Sequence, residues 1–190
     1  HHVHVTPVRL SLANLCVTKA TSMDRQKRPD FVRHYTELQS PDPWPSPDPN
    51  SAERFSLGAP LGTKLGLKRH GIHHELLPPG RRTSPPHAHS HDEEFVFVIA
   101  GHPDVWVDGH LYPLEPGDAV AFPAGTGIAH TFINNTRKDV RLLVVGDANQ
   151  PEDRSVYPLN PELHAVHSKW WENAPQRPLG SHDGRPNRPS

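Results

Sequence analysis

Residues 86–94 read Pro86-His87-Ala88-His89-Ser90-His91-Asp92-Glu93-Glu94. Side chains alternate along an extended chain, so His87 and His89 point to one side of it. A carboxylate a few residues later, Glu94, can close on the same point. Imidazole and carboxylate together suit a divalent transition metal. Read without partners, the same run would be a His-rich surface turn. Some forty residues on, Pro123-Ala124-Gly125-Thr126-Gly127-Ile128-Ala129-His130 delivers another histidine just after a Gly-rich turn. A closed antiparallel barrel can set that strand beside the first.

Outward from this run the texture is that of a β domain. Over residues 55–147 short apolar runs alternate with turn signals. Candidate strands are 64–68, 71–77, 84–90, 94–100, 104–108, 111–114, 119–122, 128–134 and 140–146. The breaks fall at Pro78-Pro79-Gly80, Gly101-His102-Pro103, Glu115-Pro116-Gly117 and Asn134-Asn135. Asp108-Gly109, between two apolar runs, is a strong hairpin signal. Many short strands with such turns predict an all-β sandwich or barrel. In the strand 94–100, Glu94, Val96 and Val98 share one face and Phe95, Phe97 and Ile99 the other. Both faces are apolar, so both are expected to be buried. One would line the barrel. The other needs a cover, from the N-terminal arm, a second sheet or a second subunit.

The glycines and histidines resemble the two motifs of the cupin superfamily. The first motif matches at Gly80, His87, His89, Glu94 and Gly101, and the second at Gly117, Pro123, Gly125, His130 and Asn134. Two spacings depart from the family pattern. Six residues rather than five separate Gly80 from His87, and four rather than two separate Gly125 from His130. Both extra lengths fall in expected loops, where strand register survives them. The wider stretch from Pro78 to Val145 is also similar to uncharacterised bacterial and fungal cupins, whose resemblance supplies a fold and a metal site but no settled reaction. The resemblance implies a double-stranded β-helix, or jelly-roll barrel. It also implies one divalent metal (Fe, Mn, Ni, Cu, Co or Zn) held by His87, His89, Glu94 and His130, with a position or two left for water or substrate.

Both ends of the chain read differently. Twenty-three prolines are many for 190 residues, and they cluster toward the termini. Hydrophobic content of 34% is low, which fits a barrel with arms that build little core. In 40–51, Ser-Pro-Asp-Pro-Trp-Pro-Ser-Pro-Asp-Pro-Asn-Ser, alternate prolines remove backbone donors and exclude helix or central strand. An extended strap is expected, pinned by Trp44. Residues 24–54 thus form an N-terminal arm, with a short helix around Phe31, Val32 and Tyr35, and 55–147 the barrel. Residues 148–190 form a polar C-terminal tail anchored by Trp170-Trp171, its last ten residues loop or disorder. Residues 1–23 read as added upstream sequence or a targeting peptide, and Met23, the only methionine, is a plausible natural start.

A net charge of −1 favours neither nucleic acid nor an anionic membrane as partner. No apolar run approaches the roughly 20 residues that span a bilayer. A single cysteine, Cys16, excludes an intrachain disulfide and fits a cytoplasmic protein, with organelle targeting by residues 1–23 left open.

His91 shares the parity of His87 and His89 if the strand stays regular, which would make it a rim acid–base group; alternatively it has left the strand and is solvated. Either His73 and Glu75 or His74 would line the pocket. The function expected is a metal-dependent enzyme acting on a small oxygen-rich substrate by dioxygenation, decarboxylation, isomerisation or lysis, an oxidoreductase if the metal is Fe or Cu. The alternatives are a non-catalytic metal or small-ligand cupin and a storage or scaffold protein. A homodimer is expected, because Phe95 and Phe97 need burial.

Overall fold

The computed structural model describes residues 28–148 and 150–187. The proposed leader, residues 1–23 with Cys16, lies outside them. Ten strands form: β1 (Leu57–Ala59), β2 (His70–Leu77), β3 (Ala88–His89), β4 (Glu94–Ala100), β5 (Asp104–Val107), β6 (His110–Pro113), β7 (Ala119–Phe122), β8 (His130–Ile133), β9 (Val140–Asp147) and β10 (Ser155–Val156). They make a five-stranded sheet β1-β2-β9-β4-β7, a three-stranded sheet β6-β5-β8 and a small pair β10-β3. Every strand pairing is antiparallel. The two larger sheets enclose one apolar core of Leu77, Val96, Val98, Val105, Phe132 and Leu142 with their neighbours. This is the all-β jelly-roll barrel.

Register decides which side chains enter the barrel. His73 pairs with Val144 and Glu75 with Leu142, while Val96 and Val98 pair with the same two residues of β9 from the other side. Cross-strand partners point the same way. His73, Glu75 and Leu77 of β2 therefore face inward with Glu94, Val96 and Val98 of β4. His74 takes the other face, buried beneath Tyr35, whose ring centroid lies 3.9 Å from its own.

Several expectations are corrected. The stretch 64–68 is no strand: a short helix α1 (Leu61–Lys64) follows Pro60, and Leu67 is solvent-exposed. The strand missed there is β1, just upstream. The extended run 84–90 contributes only Ala88–His89 to a ladder, because Pro85 and Pro86 offer no N–H to pair. The outer face of β4 is open in the single chain, with Phe95, Phe97 and Ile99 37–41% exposed. In the N-terminal arm the helix is a single 3-10 turn at Tyr35–Glu37, and Phe31 is exposed.

The strap and the tail are tied to the barrel by specific bonds. Trp44 donates its N–H to Ser56 O (2.9 Å), and a Cβ on Gly58 would meet the indole at 2.3 Å. Only glycine lets the strap lie that close. The tail is irregular, as expected of loop, yet ordered by contacts through Asp183 and beyond. Trp106 Nε1 donates to His182 O (2.9 Å) and the buried Arg82 donates to Gly184 O (2.9 Å) while forking onto Glu53. Asp108-Gly109 forms the hairpin turn between β5 and β6 with positive φ at both residues, 46° and 89°. Among the described residues no helix is long and apolar enough to cross a membrane.

Candidate metal centre

His87, His89 and Glu94 come together at one end of the barrel, each offering a ligand atom within 4.8 Å of the others. His89 sits on β3 and Glu94 opens β4. His87 lies just before β3, fixed by a two-way backbone bridge to His130 at the start of β8 (2.9 and 3.2 Å). That bridge brings the fourth residue in. His130 Nε2 stands 3.6 Å from Glu94 Oε1, and its ring stacks on Phe122 at 3.6 Å between centroids.

The orientation of the three rings is set from behind. His87 Nδ1 bonds Pro85 O (3.0 Å), His89 Nδ1 bonds Asp153 Oδ2 (2.8 Å) and His130 Nδ1 bonds Ile128 O (3.2 Å). Carbonyl and carboxylate oxygens only accept, so each Nδ1 must carry the proton. Each Nε2 is then left with its lone pair on the site side. His130 Nε2 is buried and has no hydrogen-bond partner among the described residues. A buried nitrogen left so is costly unless something else satisfies it. The donor chemistry and this orphaned atom fit a divalent ion, and the group could hold one.

The electrostatics differ among the ligands. Burial, then the neighbouring His89 and His130, depress His87 to about 3, which keeps it neutral. Burial alone would raise Glu94, but the facing imidazole of His130, with those of His87 and His89, outweighs it and brings the carboxyl down to about 2. Burial would lower His89, yet the bond and charge of Asp153 raise it. Asp153 itself is held well below the usual carboxylate range: burial opposes this, but His89 and the backbone N–H groups of His91 and Asp92 prevail.

His91 is not gathered with the others. The strand ends at His89, and the exposed His91 ring turns to Ser90 Oγ (2.8 Å). Sequence reasoning overlooked Asp153, which reaches His89 across 64 residues of chain from a turn with no motif around it. Tyr157, stacked on His87 at 5.7 Å, was likewise unforeseen. Of the two sets on β2, His73 and Glu75 face the interior. Burial raises Glu75 to about 7, against the opposing bond from Ser56 and with help from Glu94. Burial lowers His73, opposed by Glu94.

The cavity among His89, Glu94, Phe122 and His130 holds about 10 Å³, the scale of an ion or a single water. A pocket of about 330 Å³ lies beyond Glu94 toward the outer face of the sheet, at Phe95, Ala121 and Val145, and includes none of the three histidines. A wider, more open hollow of about 570 Å³ lies outside the barrel at Asp92, Asp153 and Lys169, and does not include the ligand group.

The profile of the family described as "Cupin domain" matches residues 73–146. No curated protein matches the chain. Among solved structures, a sugar phosphate isomerase from a cupin superfamily of Silicibacter pomeroyi is 33% identical with a TM-score of 0.55, over 63% of this chain and 74% of that one. A provisionally described sugar phosphate isomerase from Acidithiobacillus ferrooxidans is 32% identical with a TM-score of 0.52, over 54% of this chain; the match spans 65% of that protein's length. The polyketide cyclase RemF from Streptomyces resistomycificus, 23% identical with a TM-score of 0.51 over 71% of this chain and 96% of its own, shares the fold. From the paired motifs, the barrel and these matches together, the chain belongs to the cupin superfamily.

Proposed function

We propose that the protein is a metal-dependent enzyme that isomerises a small hydroxy-carbonyl compound of the sugar phosphate kind. The observation that carries the metal is the set of three imidazoles whose Nδ1 atoms are engaged behind the site, leaving Nε2 of His87, His89 and His130 to join Glu94 as ligands. A bound divalent ion would supply Lewis-acid polarisation of a carbonyl oxygen. The chain's own residues do the rest. Asp153, Pro85 O and Ile128 O hold the rings, and Phe122 walls the site.

Among dioxygenation, decarboxylation, isomerisation and lysis, isomerisation draws support from the Silicibacter pomeroyi neighbour's description. It also suits an interior with titratable groups besides the ligands. A dioxygenase reading would draw its support from iron or copper in the purified protein.

Elemental analysis of protein purified without a metal column, followed by assay of aldose phosphates, tests the proposal. Near one equivalent of a divalent metal and interconversion of an aldose with its ketose are expected. Protein that takes up no metal on addition would sink the reading. The open outer face of β4 supports pairing of two copies. Light scattering should give twice the 21.2 kDa chain mass, and a clean monomer would refute the dimer.

A further inference from the structure

The C-terminal tail reaches the metal centre along one short strand. The cupin match ends at residue 146, so the tail comes from outside it. β10 adds itself to β3, with Ser155 opposite His89 and Val156 opposite Ala88. Side chains alternate along a ladder, so Asp153, Ser155 and Tyr157 fall on the face that carries His87 and His89. Ser155 Oγ lies 3.4 Å from His89 Nδ1, and the Tyr157 ring stacks on His87. Asp153 is engaged on both sides at once. Its Oδ2 accepts from His89 Nδ1 (2.8 Å). Its Oδ1 accepts from the backbone N–H groups of His91 (3.0 Å) and Asp92 (3.2 Å) and from the Ser90 hydroxyl (3.4 Å). Ser90 N–H donates to Arg154 O (2.9 Å) and Arg154 N–H to Ser90 Oγ (2.8 Å), which closes the same junction.

Only a carboxylate can serve both sides. The N–H groups of His91 and Asp92 and the Nδ1–H of His89 converge on it from two directions, so both of its ends must accept. An asparagine amide has one accepting end. Turned toward the loop, it would aim an N–H at His89 Nδ1 and force the ring proton onto Nε2, the atom that faces the site. Turned toward His89, it would set N–H against N–H at His91 and Asp92. The other two imidazoles have no such dependence. His87 and His130 bond Pro85 O and Ile128 O, backbone two residues from each ring. The partner of His89 lies 64 residues away. The far end of the tail is fastened separately. Arg177 Nε pairs with Asp108 (2.6 Å), Gly180 N–H donates to Asp108 O (2.7 Å) and Trp106 Nε1 donates to His182 O (2.9 Å). The stretch from Asp153 to Tyr157 can therefore come away from β3 while the rest of the tail stays on the barrel.

We propose that Asp153 is a positioning residue that joins tail docking to metal binding. The His89 tautomer that presents Nε2 to an ion is held only while Asp153 lies against it, and an ion bound there holds the tail down in return. This rests on the metal site of the reading above and not on the isomerase reaction. An ion on Nε2 draws electron density from the ring and makes Nδ1–H a stronger donor to Asp153, while the carboxylate makes Nε2 a better ligand. Both effects are one coupling free energy. The factor by which docking raises metal affinity is the factor by which metal favours docking.

The test uses the full chain as wild type, Asp153→Asn and Arg177→Ala, stripped of metal with a chelator and reloaded with cobalt(II). Chelator competition gives the affinity, and the visible cobalt spectrum reports the ligand set. Trypsin reports docking by its cuts after Arg154 and Lys169, both exposed, measured against the cut after Lys138 in the turn before β9. Melting temperature checks the fold of each variant. Asp153→Asn should bind cobalt about ten- to a hundredfold more weakly, with a changed spectrum. In wild type cobalt should slow the two tail cuts by a similar factor relative to the Lys138 cut, because cutting tracks the undocked population. In Asp153→Asn it should slow them less than about twofold. Arg177→Ala, which loosens the tail away from the site, should match wild type in affinity and spectrum. A folded Asp153→Asn with wild-type affinity and spectrum overturns the proposal, and so does an equal loss of affinity in Arg177→Ala. If Asp153→Asn does not fold, the wild-type cuts decide: slowed by cobalt against the Lys138 cut they support the coupling, and indifferent to it they overturn it. A wild type that takes up no cobalt overturns the metal reading itself, and the coupling with it.

Discussion

The two ends of the barrel interior are built from the same strands to opposite specifications. On β2 the inward residues run His73, Glu75, Leu77; on β4 they run Glu94, Val96, Val98; on β8 His130 is followed by Phe132. One end collects His73, His130 and Glu94, while Glu75 stands further in, paired with Leu142 of the plug. The other collects Leu77, Val98, Val105, Phe132, Val140 and Leu142 in a close-packed plug. Packing of that plug supplies rigidity, and the polar end uses it. Groups such as Glu75 and His87 are tolerated because the apolar end provides the burial free energy that their desolvation opposes. Stability should therefore reside at one end and function at the other.

The largest test of that division is Phe132→Ala. It should cost about 3–5 kcal/mol in chemical denaturation, from lost transfer energy and the cavity left behind. A cost under about 1 kcal/mol would mean the plug is not what holds the barrel.

Glu75→Gln should act on stability through pH. The folded value of Glu75 lies above its ordinary one, about 7 against 4.5, so its stabilising contribution is complete below about pH 4.5 and is lost as pH rises toward 7. The variant should recover at most about 3 kcal/mol at neutral pH relative to acid. His74, lowered to about 4 chiefly by burial and then by Arg141, works in the opposite direction across roughly the same range. The difference between wild type and variant is thus the quantity to follow, by denaturation at stepped pH. A difference that does not change with pH would refute the burial of a lone carboxyl beside the apolar plug.

His89→Ala sharpens the same contrast. Metal content should fall severalfold, while the metal-free protein loses only about 1–2 kcal/mol from the broken bond to Asp153. Unchanged occupancy would refute the ligand assignment. The smallest effect on stability is expected outside the barrel. Phe97→Glu, on the open face of β4, should change the folded monomer by no more than about 0.5 kcal/mol. In light scattering the same variant should halve the mass of a dimer; a dimer that survives it pairs through another surface.

How legible the molecule was varies by element. Strands with strict alternation or a clear turn, 71–77, 94–100, 104–108, 119–122 and 140–146, stand close to where their pattern put them. Two short elements, β1 and β10, were invisible. Three-residue Leu57–Ala59 and two-residue Ser155–Val156 are too short for any period, and exist because β2 and β3 offer them an edge. The leucines of 64–68 misled because an apolar residue signals burial only when something covers it. Within the site, His87, His89 and Glu94 were readable because they are near neighbours in sequence. Asp153 was not, because its bond to His89 depends on how the tail returns.

The sequence alone determined the donors and their spacing, since alternation of side chains is a property of any extended backbone. It also determined the all-β class, through turns placed where a short-stranded antiparallel fold can use them, while the jelly roll itself was implied by the resemblance of its motifs to the cupins. Tertiary structure decided the rest. It chose His73 and Glu75 over His74 for the interior, because register, not composition, assigns a strand's faces. It left the outer face of β4 open, because the strap and the 3-10 turn at Tyr35 lie over β1 and β2, on the far side of β9. It turned each imidazole about its Nδ1 bond, because the acceptors that fix it lie on segments that meet only when the barrel closes.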